Sequence, residues 1–574
     1  MKQIPYGISS YKDIRQENNY YVDKTPYIPQ LESAGKFLFL IRPRRFGKSS
    51  LLTMLECYYD IARAEEFESL FADTYIHANP TPEKNAHLIL KFNFSKVSAD
   101  IDQVETSFQE YIDSCIFFFC KKYHHFFDDK YLSMMETKKA QHSKLEFLLR
   151  YVGIKGLKLY VMIDEYDNFT NTILSTAGQA HYHQLTHGDG FFRFFFRVLK
   201  GAVDEVDSGI SRMFITGVSP VTMDDVTSGF NIGINISLDP TFNDILGLNR
   251  PDIISMLEYY QGNGLVLSNL DHTLTLMSLW CGHYRFSDEA INSLFNTDMV
   301  LYFLKSLLKF GKYPKYMIDP NVKVDYGKLR HLVVLDRQLN GNFSRLRTII
   351  ETGKINAEIA PSFPVEDLIK PRNFISLLYY FGLLSYQNEE ELIIPNLTVQ
   401  KLMYSYLRDG YEDVDVFSID LWHFANLVRE MGYVGKWQPV FQFLADEVEK
   451  QTSIRDYLNG EKVIQTFLLA YLNVTDYYLT RTEEEMGKGF VDLYLEPFVA
   501  KYDKVKYGYL IELKYIARSQ FTSELLQKKI VEAKNQLQQY ATDPRVIKGS
   551  QGANLISVML IFSGWELVHC EVVI

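Results

Sequence analysis

Two groups of residues in this chain have the types and spacing to do phosphate chemistry. In the first, a short basic loop, Arg42-Pro43-Arg44-Arg45-Phe46, runs into Gly47-Lys48-Ser49. Backbone N–H groups at a helix start hold phosphate, a lysine there reaches the β- and γ-phosphates, and the serine hydroxyl ligates Mg²⁺. Arg44, Arg45, Phe46, Gly47, Lys48, Ser49 and Ser50 are therefore candidate nucleotide contacts. The general pattern asks for glycine where Arg42 stands, and an arginine is costly wherever a turn needs φ > 0, so this loop is expected to bend in its own way. A basic turn before a core helix would look the same locally. The pair Asp164-Glu165 favours the phosphate reading, with Asp164 holding Mg²⁺ and Glu165 polarising the attacking water. In the second group Asp492 precedes Glu512-Leu513-Lys514. Two carboxylates, Asp492 and Glu512, can hold one Mg²⁺ or Mn²⁺ while Lys514 orients or helps deprotonate a water. Read instead as a half-buried hairpin, the same residues would leave two strands with uncompensated inward charge, which is expensive.

The elements that must position these residues follow from hydrophobic patterning. Phe37 to Ile41 is an apolar strand feeding the basic loop, and the stretch Leu157 to Asp167 holds a second, ending in Asp164-Glu165. Further strands are expected at Leu88 to Phe94 and Ser211 to Gly217. Thr216 on the last suits a γ-phosphate sensor, and equally a turn residue. Strands alternating with helices predict an α/β parallel sheet, with the phosphate loop at the carboxyl end of a strand. Phe191, Phe192, Phe194, Phe195, Phe196 and Leu199 predict a helix that is apolar over a wide arc and buried in the core.

From residue 246 to 420 the pattern is mainly helical. Arg285 follows an apolar helix there, placed either to reach phosphate from a lid or to serve structure. A helix over Phe374 to Leu384 and a hairpin after it read as a winged helix, whose acidic flanks favour packing over DNA contact. Toward the end, a helix over Glu461 to Leu472 precedes Glu483-Glu484-Glu485-Met486-Gly487-Lys488-Gly489. Strands follow over Phe490 to Leu495 and Gly508 to Lys514. Alternation puts Glu512 and Lys514 on one face, and a helix through Ala533, Leu537 and Tyr540 turns Gln536 toward the same place. The expected domains are 1–245, 246–420 and 421–574.

The chain has 574 residues, too many for one core, with 47% hydrophobic and 23% charged residues, as in ordinary globular proteins. Arg193 and Arg197 interrupt even its most apolar run, so no membrane span is expected. The N-terminus lacks an apolar signal core. Five scattered cysteines without metal-ligand spacing fit a reducing cytoplasm. A net charge of −11 excludes a general nucleic-acid coat but not a local basic groove.

Nine stretches carry a resemblance: IPYGISSYKDIR, YYVDKTPYI, RPRRFGKSSLL, YVMIDEYDN, ITGVSP, SGFNIGINISLDPTFNDILGL, GKGFVDLYLE, GYLIELK and AKNQLQQY. On these the chain resembles bacterial AAA-ATPase-like proteins with a C-terminal PD-(D/E)XK nuclease domain. In that family RPRRFGKS is the usual form of the phosphate loop. The resemblance implies ATP binding at Lys48, Ser49 and Asp164, hydrolysis aided by Glu165, and metal-dependent phosphodiester cleavage at Asp492, Glu512 and Lys514. It also implies Glu461 as the helix acid of the nuclease and Gln536 as the helix residue after its core. Where the family carries WYDGYRF this chain has LWCGHYRF, which removes the aspartate but keeps Arg285. The expected function is an ATPase coupled to a nuclease acting on DNA, or on RNA, with assembly into a homo-oligomer left open. A nucleotide-dependent switch or scaffold that binds nucleic acid or protein without cutting is the alternative.

Overall fold

A sheet covered on both faces needs strands that are apolar throughout. Such strands are found at β1 (Phe37–Ile41), β2 (Leu88–Asn93), β3 (Leu159–Asp164) and β4 (Ile210–Gly217), with a short β5 (Ile234–Asn235) at one edge. In this computed structural model they form one parallel sheet in the order β2-β3-β4-β1-β5. The structure describes every residue except 139–140, 189, 205–208, 223–224, 226–232, 268, 323–333, 336–337, 340, 483, 487–488, 551 and 574. Glu483, Gly487 and Lys488 of the acidic-glycine stretch therefore lie outside the described residues, as does part of the SGFNIGINIS stretch.

The chain divides into two compact units, Met1–His331 with Lys354–Val399, and Leu332–Gly353 with Gln400–Ile574. In the first, α1 (Lys48–Tyr59) leaves the loop after β1. Next come α2 (Val104–Lys122), α3 (Asn168–Thr186) and α4 (Phe191–Asp204). The wide apolar helix α4 buries Phe192, Phe195, Phe196 and Leu199, with Phe92, Phe94, Phe108 and Phe169 among their aromatic neighbours. Phe194 departs from the core expectation. It is 37% exposed, because it shares the outward side of the helix with Arg193 and Arg197. A mainly helical stretch follows, including α5 (Arg250–Gly262), α6 (Leu270–Cys281) and α7 (Thr297–Phe310). It ends in a small antiparallel sheet of β6 (Lys354–Asn356), β7 (Ser385–Tyr386) and β8 (Glu391–Ile393) beside α8 (Pro371–Tyr380), a helix-and-hairpin arrangement.

The second unit holds α9 (Leu421–Val434), α10 (Gln438–Lys450) and α11 (Glu461–Leu472) ahead of a mixed five-stranded sheet. Its strands are β9 (Tyr478–Arg481), β10 (Leu493–Pro497), β11 (Tyr507–Ile516), β12 (Asn554–Ser563) and β13 (Glu566–Val572), hydrogen-bonded in that order. Helix α12 (Ser523–Tyr540) packs Ile530, Ala533, Leu537 and Tyr540 onto Tyr494, Leu510, Met559 and Ile561. The single strand expected over Phe490 to Leu495 is broken. A short strand at Gly489–Val491 pairs back with Glu484–Met486, and β10 starts afresh at Leu493, so Asp492 sits at the break.

Candidate nucleotide and metal sites

The candidate nucleotide site forms where β1, β3 and β4 end. β4 lies between the strand that feeds the loop and the strand that carries the acids, so Leu40 stands opposite Thr216 and all three strand ends share one edge. The loop does bend in its own way. Positive φ falls at Arg45 (70°) and Gly47 (98°). Arg42 is instead drawn inward, 1% exposed, with its guanidinium donating to the carbonyls of Ile41, Ser237 (2.5 Å) and Phe242 (2.9 Å). The Phe286 ring lies 4.4 Å away, and burial lowers the Arg42 pKa to about 10. The arginine in the glycine position thus anchors the loop, and the φ > 0 requirement has moved three residues on.

Lys48 is buried and donates to the carbonyls of Arg42 and Pro43, both at 2.9 Å. Burial lowers its pKa to about 8 against the opposing pull of Glu165, Asp164 and Asp167. Ser49 donates its hydroxyl to Asp164 Oδ2 at 2.7 Å. Asp164 is 1% exposed and burial raises its pKa, yet its Oδ1 has no hydrogen-bond partner. A buried carboxylate oxygen left unpaired beside a serine hydroxyl suits a divalent cation. Thr216 Oγ1 is likewise buried without a partner, while its backbone carbonyl accepts from Tyr166. Glu165 holds a left-handed backbone, φ 49°, and accepts from the Asn168 amide at 2.7 Å. Such strain in a non-glycine residue is typical of functional sites.

A polar cavity of about 370 Å³ brings together Arg44, Arg45, Gly47, Lys48, Ser49, Ser50 and Glu165 with Asn168 and Asp298. Next to it, Phe46, Gly47 and Ser50 line an apolar cavity of about 110 Å³ with Ile8, Tyr20, Tyr21, Met54 and Leu246. Phe46 faces this apolar side, its ring 4.9 Å from Tyr284 and 5.1 Å from Phe286. Arg285 is not among the lining residues of either cavity. Its side chain donates to the Gln387 carbonyl and its backbone N–H to Ser385. Sequence reasoning missed Asp167, which is buried and accepts from the backbone N–H groups of Val218 and Ser219, tying the end of β4 to the acidic turn. It stands two residues after Glu165 in the stretch already quoted, so proximity was the available signal. Asp298, paired with Arg45 at 3.3 Å, is too far along the chain to have been found that way.

In the second unit, Leu493 pairs with Ile511, which sets Asp492 across from Glu512. Two like charges in that position repel. Asp492 accepts from the Leu513 N–H at 2.7 Å, and Lys514 donates to Glu512 Oε1 at 2.6 Å. Burial first, then the neighbouring Asp492, raise Glu512 to about 8 in spite of Lys514. Burial raises Asp492 to about 6. Glu512 Oε2 and Gln536 Oε1 are both buried with no partner, and the Gln536 amide bonds Tyr540. Glu461, in the first turn of α11, is close enough to add its charge to Asp492, Glu512 and Lys514. The donor set therefore fits a hard divalent cation: two carboxylates, an unpaired amide oxygen and an acid at a helix start. Sequence reasoning missed Gln465, one turn beyond Glu461, whose amide donates to the Asp492 carbonyl and steadies the strand break. Lys529 and Lys534 pair with Glu532 and Glu571.

Comparison with known proteins agrees with both halves. Residues 5–227 match the family model of a predicted AAA-ATPase, and residues 459–572 match that of the PD-(D/E)XK nuclease superfamily. The chain thus joins an AAA-ATPase-like domain to a PD-(D/E)XK superfamily domain, as its motifs indicate. It is also similar to an uncharacterized protein in the vnfD 5′ region of Azotobacter chroococcum mcd 1, at 26% identity over 330 residues. That alignment takes in 55% of this chain and 56% of the relative, so the chain spans about half the length of the curated protein it matches. No solved structure matches the chain. No described helix is long and apolar enough to cross a membrane.

Proposed function

We propose that the chain binds and hydrolyses ATP at the first site and cleaves phosphodiester bonds of DNA, or of RNA, at the second. The observation that carries the nuclease half is the meeting of Asp492, Glu512 and Lys514 around a buried, unpaired carboxylate oxygen. When bound, Mg²⁺ or Mn²⁺ supplies Lewis acidity to a phosphate oxygen and lowers the pKa of a water. Asp492 and Glu512 would hold it, with Gln536 and Glu461 at the margin. Lys514, held by Glu512, orients the attacking water and shields charge that builds on the phosphate. In the first unit, Lys48 and the N–H groups after Gly47 bind the phosphates, and Ser49 with Asp164 would hold Mg²⁺. Glu165 takes a proton from water and Thr216 meets the γ-phosphate. The apolar cavity beside Phe46 has the chemistry to cover a purine ring.

The test is cleavage of plasmid and single-stranded DNA with Mg²⁺ or Mn²⁺, with and without ATP, for wild type, Lys514→Ala and Lys48→Ala. Cleavage that Lys514→Ala abolishes, with ATP hydrolysis that Lys48→Ala abolishes, supports both assignments. Loss of ATP control over cleavage in Lys48→Ala would show that the first site gates the second. ATP hydrolysis without cleavage under any condition would overturn the nuclease reading in favour of a nucleotide switch.

A further inference from the structure

Apart from the residues assigned to the two sites, the end of α3 gathers a set of metal-ligating side chains that neither proposed reaction uses. His183 lies in the last turn of the helix, and His187 follows it by four residues, its backbone N–H still bonded to the His183 carbonyl. Both rings therefore leave the same side of the helix. A short helical turn at Val365–Ile369 brings Glu366 to them: its Oε1 is 3.0 Å from His183 Nε2 and 3.5 Å from His187 Nε2. Asp225, 5% exposed, places Oδ1 3.6 Å from His187 Nε2.

We propose that His183, His187 and Glu366 form a Zn²⁺ site whose fourth position is open to water. Ligands at the usual Zn–N and Zn–O lengths of about 2.0–2.2 Å around a tetrahedral ion stand roughly 3.3–3.6 Å from one another. The contacts of Glu366 Oε1 to the two imidazoles fall at 3.0 and 3.5 Å, and the three donor atoms lie within 4.8 Å of one another. One oxygen of Glu366 already faces both imidazoles, which is the arrangement an ion between them requires. Supporting bonds are in place as well. Tyr182 donates to Asp225 Oδ2 at 2.7 Å, which holds that carboxylate beside His187. Thr186 Oγ1 lies 2.9 Å from His187 Nδ1, which turns Nε2 toward Glu366. Outer contacts of this kind orient ligating rings and carboxylates. Two imidazoles and a carboxylate suit zinc better than the hard cations expected at the other sites.

Position gives the ion its role. Helix α3 grows directly out of the turn that holds Glu165 and Asn168, and Glu366 precedes α8 of the helix-and-hairpin segment. A zinc between them clamps the acidic edge of the nucleotide site to that segment. Within the same unit, Gln179 reaches the Val365 carbonyl at 3.5 Å, along the same line of contact.

The experiment strips the full-length protein with chelator, then titrates Zn²⁺ in millimolar Mg²⁺ against a competing chromophoric chelator. Co²⁺ substitution reports ligand geometry through its visible absorption. Wild type should take up one tight zinc and give the intense bands of a tetrahedral Co²⁺ site. His183→Ala and His187→Ala should each weaken binding by more than the 10–100-fold that losing a supporting contact costs, and Tyr182→Phe by about tenfold. Glu366→Gln, a change at a side chain about half exposed, keeps the test open should either histidine variant fold poorly. Asp492→Ala should bind zinc as wild type does. Absence of a stoichiometric zinc, unchanged affinity in Glu366→Gln, or loss of the zinc in Asp492→Ala would overturn the assignment and leave an ion-free His–His–Glu hydrogen-bonded cluster.

Discussion

Cation binding at the candidate nuclease site should depend steeply on pH, because its two carboxylates are buried together. With Asp492 at about 6 and Glu512 at about 8, the two are ionised together in only about 0.5% of molecules at pH 6 and in about half at pH 8. A divalent cation binds that doubly ionised form, so its apparent affinity should rise about 100-fold over those two pH units, with roughly one proton released per ion. Ordinary exposed carboxylates would be ionised throughout and give a flat profile. The sign in the cation-free protein is opposite. Both pKa values are raised above those of the unfolded chain. Their contribution to stability is fully present below about pH 4 and is lost as pH rises through about 8. Isothermal titration of Mn²⁺ or Mg²⁺ into the full chain without nucleotide, at half-unit steps from pH 6 to 8, reads the effect. Thermal melts in parallel should show the greatest stabilisation by Mg²⁺ at the alkaline end. Glu512→Gln should abolish the steep rise. A flat profile in wild type, or a steep one that survives in Glu512→Gln, would refute the shared buried site.

Arg42→Met should destabilise the first unit by about 3 kcal/mol in chemical denaturation, since it leaves the Ser237 and Phe242 carbonyls buried and unpaired. A loss under 0.5 kcal/mol would mean the arginine does not anchor the loop. Thr216→Val removes a buried hydroxyl that has no partner, so thermal stability should hold or rise slightly while ATP turnover falls at least about tenfold with nucleotide affinity kept. Unchanged turnover would count against a γ-phosphate role. Leu537→Ala, at a fully buried position where α12 meets the sheet, should cost about 3 kcal/mol in the second unit. It should also lower Mg²⁺ affinity by letting Gln536 drift, whereas an unaltered affinity would separate Gln536 from the site.

What was legible in the sequence was local, and what was not depended on how strands and turns bring distant residues together. Gly47-Lys48-Ser49 and Asp164-Glu165 announce themselves because each is a run of chemistry at the end of an apolar strand. The parallel sheet follows from where those strands fall. Pattern matching alone makes Arg42 a defect, because it counts positions from the lysine and assumes the backbone of a glycine loop. The structure moves positive φ to Arg45 and Gly47, freeing position 42 to carry a long side chain inward to carbonyls almost two hundred residues away. Alternation likewise places Glu512 and Lys514 on one face but cannot show that the preceding strand breaks at Asp492. That break depends on a separate hairpin and on Gln465 holding the Asp492 carbonyl. Asp298 and Glu366 are beyond local pattern altogether, since nothing near either residue marks its partner. The general consequence concerns unpaired buried oxygens. Asp164 Oδ1, Thr216 Oγ1, Glu512 Oε2 and Gln536 Oε1 each cost stability as they stand. They occur in two tight groups at the residues that motif spacing had already singled out. Unpaired buried atoms occur elsewhere among the described residues too, so it is their coincidence with these motif residues that supports the cation and phosphate binding proposed above.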